Sequence, residues 1–170
     1  MNQKHNIQIK RALATMIMLV ISSILVGQNR NNQEAGLKAL DKQYGFLNIK
    51  LETPFSSFKG LKKEDSEKSI FKATQIELKI DKFKFESVYL TFYKDLLTTI
   101  EFETKGRTNT NGILNILQDS FGEGKKRTNY GYKWKGQEVW MNFAINESDG
   151  SGVLSLHSVS LMTKEVGENE

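Results

Sequence analysis

The spacing of hydrophobic residues predicts two amphipathic helices and a short helix between them. Gly45 suits the end of the first helix and Gly122 the end of the longest one, because glycine readily takes the left-handed conformation that closes a helix. Thr53 followed by Pro54 is a preferred start for the short helix. The longest helix begins at a capping residue within 109–111. The apolar positions of the three helices are Leu37, Leu40 and Tyr44, then Phe55 and Phe58, then Ile113, Leu114, Leu117 and Phe121.

Alternation of apolar and polar residues predicts the strands. Successive side chains of a strand point to opposite faces of a sheet, so residues two apart share a face. The pattern occurs in residues 47–51, 74–80, 88–92, 98–102, 130–134, 137–143 and 153–162. The mixed-charge stretch 62–68 is typical of an exposed loop or of a fraying helix end.

Two hairpins follow from this pattern. The first joins 88–92 to 98–102 through an odd-numbered loop such as 94–96, because only an odd loop keeps both apolar sets on one face. Its expected pairs are Val88 with Phe102 and Leu90 with Ile100. The second has a two-residue turn at Lys135 and Gly136. Its expected pairs are Trp134 with Gln137, Tyr132 with Val139, Tyr130 with Met141, Lys133 with Glu138 and Gly131 with Trp140.

The order of these elements predicts the α+β class. An antiparallel sheet of about six strands would have helices on one face. A helix followed by three strands occurs over residues 53–104 and again over 108–162, which indicates a possible duplicated unit. The expected organisation is a signal peptide over 1–27, a flexible segment over 28–36, a single domain over 37–162 and a disordered tail over 163–170.

The N-terminal segment has the composition of an export signal. Three basic residues precede an uncharged stretch that runs from 12 to 27. Cleavage is expected between Gly27 and Gln28, which would give a periplasmic or secreted protein without stable membrane insertion. Leu25 occupies a position where a smaller side chain is preferred, so the alternative is an uncleaved segment that anchors the domain to a membrane.

Charge and composition exclude several classes of protein. Removal of residues 1–27 takes away Lys4, Lys10 and Arg11 but no acidic residue, so the net charge falls from +4 to +1. Such a neutral chain does not suit nucleic-acid binding, which requires many phosphate charges to be neutralised. The chain has no cysteine, which excludes disulfides, a thiolate nucleophile and a lipid-modified cysteine.

Residues 44–58, YGFLNIKLETPFSSF, resemble the opening of small exported bacterial proteins of uncharacterised function. Those proteins also share a helix that ends in Phe-Gly, as at Phe121, and an aromatic strand with a Trp-x-Gly turn, as at Trp134. Glu52 stands where glycine is usual in them. The layout is more distantly similar to periplasmic adaptor and inhibitor domains, which bind proteins through an exposed sheet face. These resemblances imply export and a binding role.

The residues that carry chemistry give little support to catalysis. His157 is the only histidine after residue 27, and no acidic set has ligand spacing, so neither a metal nor another cofactor is expected. Asp119 stands where a phosphate loop ending at Lys125 would need glycine. Glu101 and Glu103 point the same way about 7 Å apart. The alternative function is therefore a small cell-envelope hydrolase that uses carboxylates, with His157 as a candidate base.

Aromatic residues opposite the inferred core favour a binding function. Exposed aromatics are more common at binding surfaces than elsewhere. The candidate binding residues are Tyr89, Tyr93, Leu97 and Trp140. A basic patch suited to an acidic surface or a headgroup consists of Lys125, Lys126 and Arg127. We therefore expect a binding domain without catalytic residues, whose partner is a protein, peptide or glycan of the cell envelope.

Overall fold

The computed structural model describes residues 32–65, 69–76, 78–128 and 131–168. The predicted signal peptide and its cleavage site, between Gly27 and Gln28, lie outside these residues. The described part contains three α-helices: α1 over 32–43, α2 over Arg107–Phe121 and α3 over Val159–Glu168.

Twelve strands are present in the described residues, and eight of them form one antiparallel sheet. The strands are β1 (Gly45–Phe46), β2 (Ile49–Lys50), β3 (Leu61–Lys63), β4 (Ile70–Ala73), β5 (Lys79–Ile80), β6 (Phe83–Lys84), β7 (Ser87–Tyr93), β8 (Leu96–Thr104), β9 (Lys125–Thr128), β10 (Gly131–Lys135), β11 (Val139–Ile145) and β12 (Gly152–Ser158). The large sheet has the order β3-β4-β7-β8-β12-β11-β10-β9, while β1–β2 and β5–β6 are separate hairpins. The α+β class is confirmed, and the sheet has eight strands where about six were expected.

The large sheet consists of two four-stranded halves that meet where β8 pairs with β12. This seam runs from Thr104 opposite Gly152 to Thr99 opposite His157. Helix α2 lies between the halves in sequence, after β8 and before β9. The duplicated unit of one helix and three strands is not confirmed, because each half of the sheet contains four strands.

One face of the sheet and the helices α1 and α2 enclose the hydrophobic core. The inward side chains of the central strands are buried, and so is the apolar stripe predicted for α2. Gly36 of α1 lies so close to the end of α2 that a Cβ there would be 2.3 Å from the carbonyl carbon of Phe121. The two helices can therefore cross closely only because residue 36 has no side chain. Trp134 ties β10 to the end of α2, since its indole Nε1–H donates to the Gly122 carbonyl at 2.7 Å.

The edge of the sheet near β3 differs most from the sequence prediction. Strand β3 includes residues 62–63 of the stretch that was expected to be an exposed loop or a helix end, and it pairs with β4. The predicted strand 74–80 is reduced to β5, which pairs with β6 outside the large sheet. This small hairpin is held on α2 by Asn109, whose side-chain amide bonds both the N–H and the carbonyl of Lys84. Asn109 therefore lies inside α2 and does not cap it, and the expected short helix after Pro54 is a 3₁₀ turn.

The first predicted hairpin is confirmed in its pairs but not in its loop. Val88 lies opposite Phe102 and Leu90 opposite Ile100. The turn has only two central residues, Lys94 and Asp95, and both have positive φ. A bulge at Thr98 restores the parity that an odd loop would have provided. The bulge also places Leu97 opposite Phe92, on the core face.

The second hairpin has a different register from the one predicted. Trp134 pairs with Met141 and Lys135 with Trp140, so β11 is displaced by four residues relative to the two-residue turn. The longer loop is held by Asp41 of α1, whose carboxylate accepts the backbone N–H groups of residues 137, 138 and 139 at 2.9–3.0 Å. The local turn preference of Lys135 and Gly136 is therefore outweighed by an anchor from a distant helix.

The C-terminal residues are more ordered than the sequence predicts. Strand β12 ends at Ser158, and residues 159–168 form α3, which includes most of the segment expected to be a tail. Ser158 caps this helix, because its Oγ accepts the N–H of Leu161 at 3.2 Å. At the other end of the chain, residues 32–36 of the expected flexible segment belong to α1.

Replacement of Asp41 by alanine should destabilise the fold by about 2 kcal/mol, because three backbone donors lose a charged acceptor. Asp41→Asn should cost less, since an amide oxygen still accepts hydrogen bonds. Lys42→Ala, at the exposed neighbouring position, is the control. Urea unfolding measures the three stabilities, and equal values for Asp41→Ala and Lys42→Ala would contradict the anchoring role.

Candidate functional site

The side of the large sheet opposite α1 and α2 is called the outer face here. Its side chains lie in rows across the strands, because the register continues through the seam. One row contains Tyr89, Glu101, Ser155, Asn142, Lys133 and Lys125. The next row contains Thr91, Thr99, His157, Trp140 and Lys135. Most of these side chains are partly exposed, so the described helices leave the middle of the outer face open to solvent.

Three of the four predicted binding residues lie on the outer face, and the fourth does not. Tyr89, Tyr93 and Trp140 are half-buried there. Leu97 has no solvent exposure, because the bulge in β8 turns it into the core. Tyr93 lies at the end of the face, where its hydroxyl donates to Glu168 of α3. The central aromatic residues are therefore Tyr89 and Trp140.

Trp140 is in contact with two cations from β10. The ammonium nitrogens of Lys133 and Lys135 lie 4.7 and 4.4 Å from the centre of its ring. Both distances are within the range of cation–π attraction. The sequence prediction paired Trp140 with Gly131, and the four-residue change in register brings Lys135 opposite it instead.

Two carboxylates stand next to each other on β8, in the middle of the outer face. Partial burial and the neighbouring charge of Glu103 raise the pKa of Glu101. Glu103 accepts a hydrogen bond from the hydroxyl of Ser87. The arrangement places a carboxyl group with a raised pKa, Glu101, beside a second carboxyl group that is hydrogen-bonded to Ser87.

His157 lies one strand away from these acids and is held by hydroxyl groups. Its Nδ1 is 3.0 Å from Thr99 Oγ1, and its Nε2 is 3.2 Å from Ser155 Oγ. Burial and the positive charge of Lys133 lower the pKa of His157, so its imidazole is neutral at pH 7. The two hydroxyl contacts hold the ring in place, and His157 lies between Trp140 and Thr99 in the row.

The predicted basic patch is divided by strand geometry. Lys125 lies opposite Lys133 and therefore belongs to the outer face, whereas Lys126 pairs with Tyr132 and points to the other side. The sequence prediction did not connect Lys133 and Lys135 with this patch. Their period-two spacing was a usable signal, because it places both on the same face as Trp140.

A polar cluster outside the outer face was also not predicted. Glu52 Oε1 accepts hydrogen bonds from Tyr44, Ser158 and Ser160. Burial raises the pKa of Glu52, but these hydrogen bonds outweigh it and the net pKa is lowered. Glu52 has a φ of 59°, so glycine would be the usual residue at this position. The three hydrogen bonds offset this conformational cost and connect the β1–β2 hairpin to the start of α3.

No group of three or more His, Asp or Glu residues in the described part of the chain has the geometry of a metal site. No helix within the described residues has the length and hydrophobicity needed to span a membrane. A concavity of about 910 Å³ lies between the start of α1 and the end of α2, lined by Gln33, Gly36, Asp119 and Gly122 among others.

Comparisons with known proteins give little further information. No family model matches the chain, and no curated protein matches it. A crystal structure of a DUF4309 family protein (YjgB) from Bacillus subtilis is similar over 56% of this chain and 68% of its own, with 13% sequence identity and a TM-score of 0.37.

Replacement of Glu101 by glutamine should stabilise the protein at neutral pH. Because the pKa of Glu101 is raised in the folded state, folding binds protons, and stability falls as pH rises above the unfolded pKa of about 4.3. Glutamine does not titrate, so the Glu101→Gln variant does not lose stability in this way. The difference in stability between the variant and the original protein should therefore vanish below about pH 4. Thermal unfolding as a function of pH measures the difference.

The exposed Glu123→Gln is the matched control for this experiment and should show no such gain. A Glu101→Gln protein that is less stable than the original at pH 7 would mean that the carboxylate makes a net favourable interaction in the folded state.

Proposed function

We propose that this protein is an exported, non-catalytic binding domain that holds a protein, peptide or glycan of the cell envelope on its outer face. The observation that carries the proposal is the open central part of that face, where Tyr89 and Trp140 lie among polar side chains in continuous rows. Large aromatic residues that remain half-exposed beside charged groups are typical of binding surfaces. Tyr93 extends the aromatic surface towards α3.

Export is supported by the N-terminal sequence. The basic start and the uncharged stretch 12–27 have the order of a signal peptide, and the absence of cysteine is compatible with either a periplasmic or a secreted location. Membrane anchoring through an uncleaved segment is the alternative location. The resemblance of residues 44–58 to small exported bacterial proteins supports the same assignment.

A second candidate function is a small cell-envelope hydrolase, favoured by the raised pKa of Glu101 beside Glu103. Glycoside hydrolysis requires two carboxyl groups, one of them with a raised pKa that lets it act as the acid. Binding is preferred because these acids stand on a sheet surface next to His157 and Tyr89, while a hydrolase encloses its substrate in a cleft.

The protein recovered from cells that express the full chain should begin at Gln28. Signal peptidase cuts after the small residue that follows the apolar stretch, and Gly27 has that position. N-terminal sequencing or intact mass measures the start directly. A chain that begins at Met1 and fractionates with membranes would replace the export assignment with an anchored one.

Substitution of Tyr89, Tyr93 and Trp140 by serine should abolish capture of the envelope partner while the fold is retained. The three side chains lie on the outer face and outside the main core cluster, so their loss removes contact area for the partner and little of the packing. Capture of cross-linked envelope components by the original protein and by the triple variant measures the effect, and circular dichroism checks the fold.

Val166→Ser is the matched control, because Val166 is an exposed apolar residue on α3 and is not one of the aromatic residues of the outer face. Normal capture by the triple variant would show that the outer face is the wrong surface. Retained capture with loss of substrate turnover in Glu101→Gln or Glu103→Gln would favour the hydrolase instead.

A further inference from the structure

Four cations are concentrated at the β9 end of the outer face. Lys125 on β9 lies directly opposite Lys133 on β10, and Lys135 follows two residues later on the same strand. Arg127 lies close enough to Lys133 to affect its protonation. This basic cluster is defined by Lys125, Arg127, Lys133 and Lys135.

No ion pair in the described part of the chain joins the basic cluster to a carboxylate. The ion pairs found there join Lys38 to Glu34 and Lys94 to Glu168, and neither includes a residue of the cluster. Partial burial, together with the charges of Arg127 and Lys135, lowers the pKa of Lys133. Like charges directly opposite each other on adjacent strands destabilise a sheet. The like charges therefore reduce the stability of the fold, and no ion pair within the described residues offsets this loss.

Lysines on an edge strand can have a different role, because they prevent the edges of two sheets from associating. Lysines of this protective kind are found at the opposite edge of the sheet, where Lys62 of β3 lies opposite Lys72 of β4. The basic cluster differs in two respects. It contains four cations, and it extends inward to Lys133 and Lys135, which contact Trp140 on β11 and lie one strand away from the edge. Protection of an edge does not require these inner residues.

We propose that the basic cluster binds an extended acidic segment of a protein partner, in which carboxylates recur at every second residue. Alternate residues of an extended peptide are about 7 Å apart, which is also the separation of Lys133 and Lys135 along β10. Each carboxylate would then face one cation. This proposal rests on the proposed function, and it adds the chemical class of the ligand.

The remaining charges of the outer face favour a short acidic segment over a long polyanion. Glu101 lies in the same row as Lys133, three strands further along, at about 14 Å from the strand spacing. A long polyanion that crossed the sheet would meet Glu101 and its neighbour Glu103. The net charge of +1 after residue 27 also provides no general attraction for nucleic acid or polyphosphate.

The test uses a fluorescent synthetic peptide in which glutamate alternates with serine, and a second peptide in which glutamine replaces glutamate. The protein is produced from the full gene, and binding is measured by anisotropy at low ionic strength. The original protein should bind the glutamate peptide and not the glutamine peptide. Lys133→Gln with Lys135→Gln should weaken binding about tenfold, since two ion pairs are lost. Added salt should weaken the original interaction.

The double variant with Lys79→Gln and Lys105→Gln is the matched control. Both lysines are exposed and lie outside the basic cluster, and their substitution removes the same amount of charge. Equal affinity of the two double variants would overturn the inference, and so would binding of polyphosphate with no binding of the glutamate peptide.

If the aromatic triple variant fails to capture its envelope partner while both lysine double variants bind the peptide equally, the inference fails and the proposed function stands. If the triple variant captures normally and only the Lys133 and Lys135 variant loses the peptide, the proposed function fails and the basic cluster remains a peptide site.

Discussion

The pairing of β8 with β12 is the interaction on which the rest of the structure depends. These strands are about fifty residues apart in sequence, and their pairing joins two four-stranded halves into one sheet. At the seam Leu154 lies opposite Phe102 and Leu156 opposite Ile100, and all four side chains are fully buried. Without this pairing each half would expose a sheet edge and half of the core. The same pairing aligns the polar rows of the outer face.

The two faces of the sheet differ in what they contribute to folding. The inner face is packed with apolar side chains, as a stable core requires. The outer face carries a carboxyl group with a raised pKa at Glu101 and opposed lysines at Lys125 and Lys133, neither of which helps the fold. Groups that reduce stability are found mainly where a function retains them. Glu52 shows the opposite case, because its cluster of hydrogen bonds connects two parts of the fold and needs no ligand to explain it.

Local patterns predicted the elements whose partners are adjacent in sequence. The apolar stripe of α2 and the pairs Val88–Phe102 and Leu90–Ile100 follow from periodicity alone. The register of the second hairpin was wrong, because Asp41 on a distant helix holds the loop. Strand β3 was not predicted, because a lysine-rich sequence is typical of a solvated loop. In the structure these lysines belong to a strand at the edge of the sheet.

The candidate site was partly predictable for a simple geometric reason. The error in the second hairpin was four residues, an even number, so each side chain kept its predicted face. Trp140 and Lys133 are therefore on the outer face as expected, and only their neighbours changed. Leu97 was assigned to the wrong face because a bulge adds one residue, which inverts the alternation.

The sequence by itself determined the α+β class, the absence of disulfides and the face on which most strand residues lie. These properties depend on composition and on periodicity, which are local. The tertiary structure decided which strands pair at the seam, how the loop after β10 is held and which cations meet around Trp140. Backbone hydrogen bonds are the same for every strand, so the choice of partner depends on packing between residues that are distant in sequence.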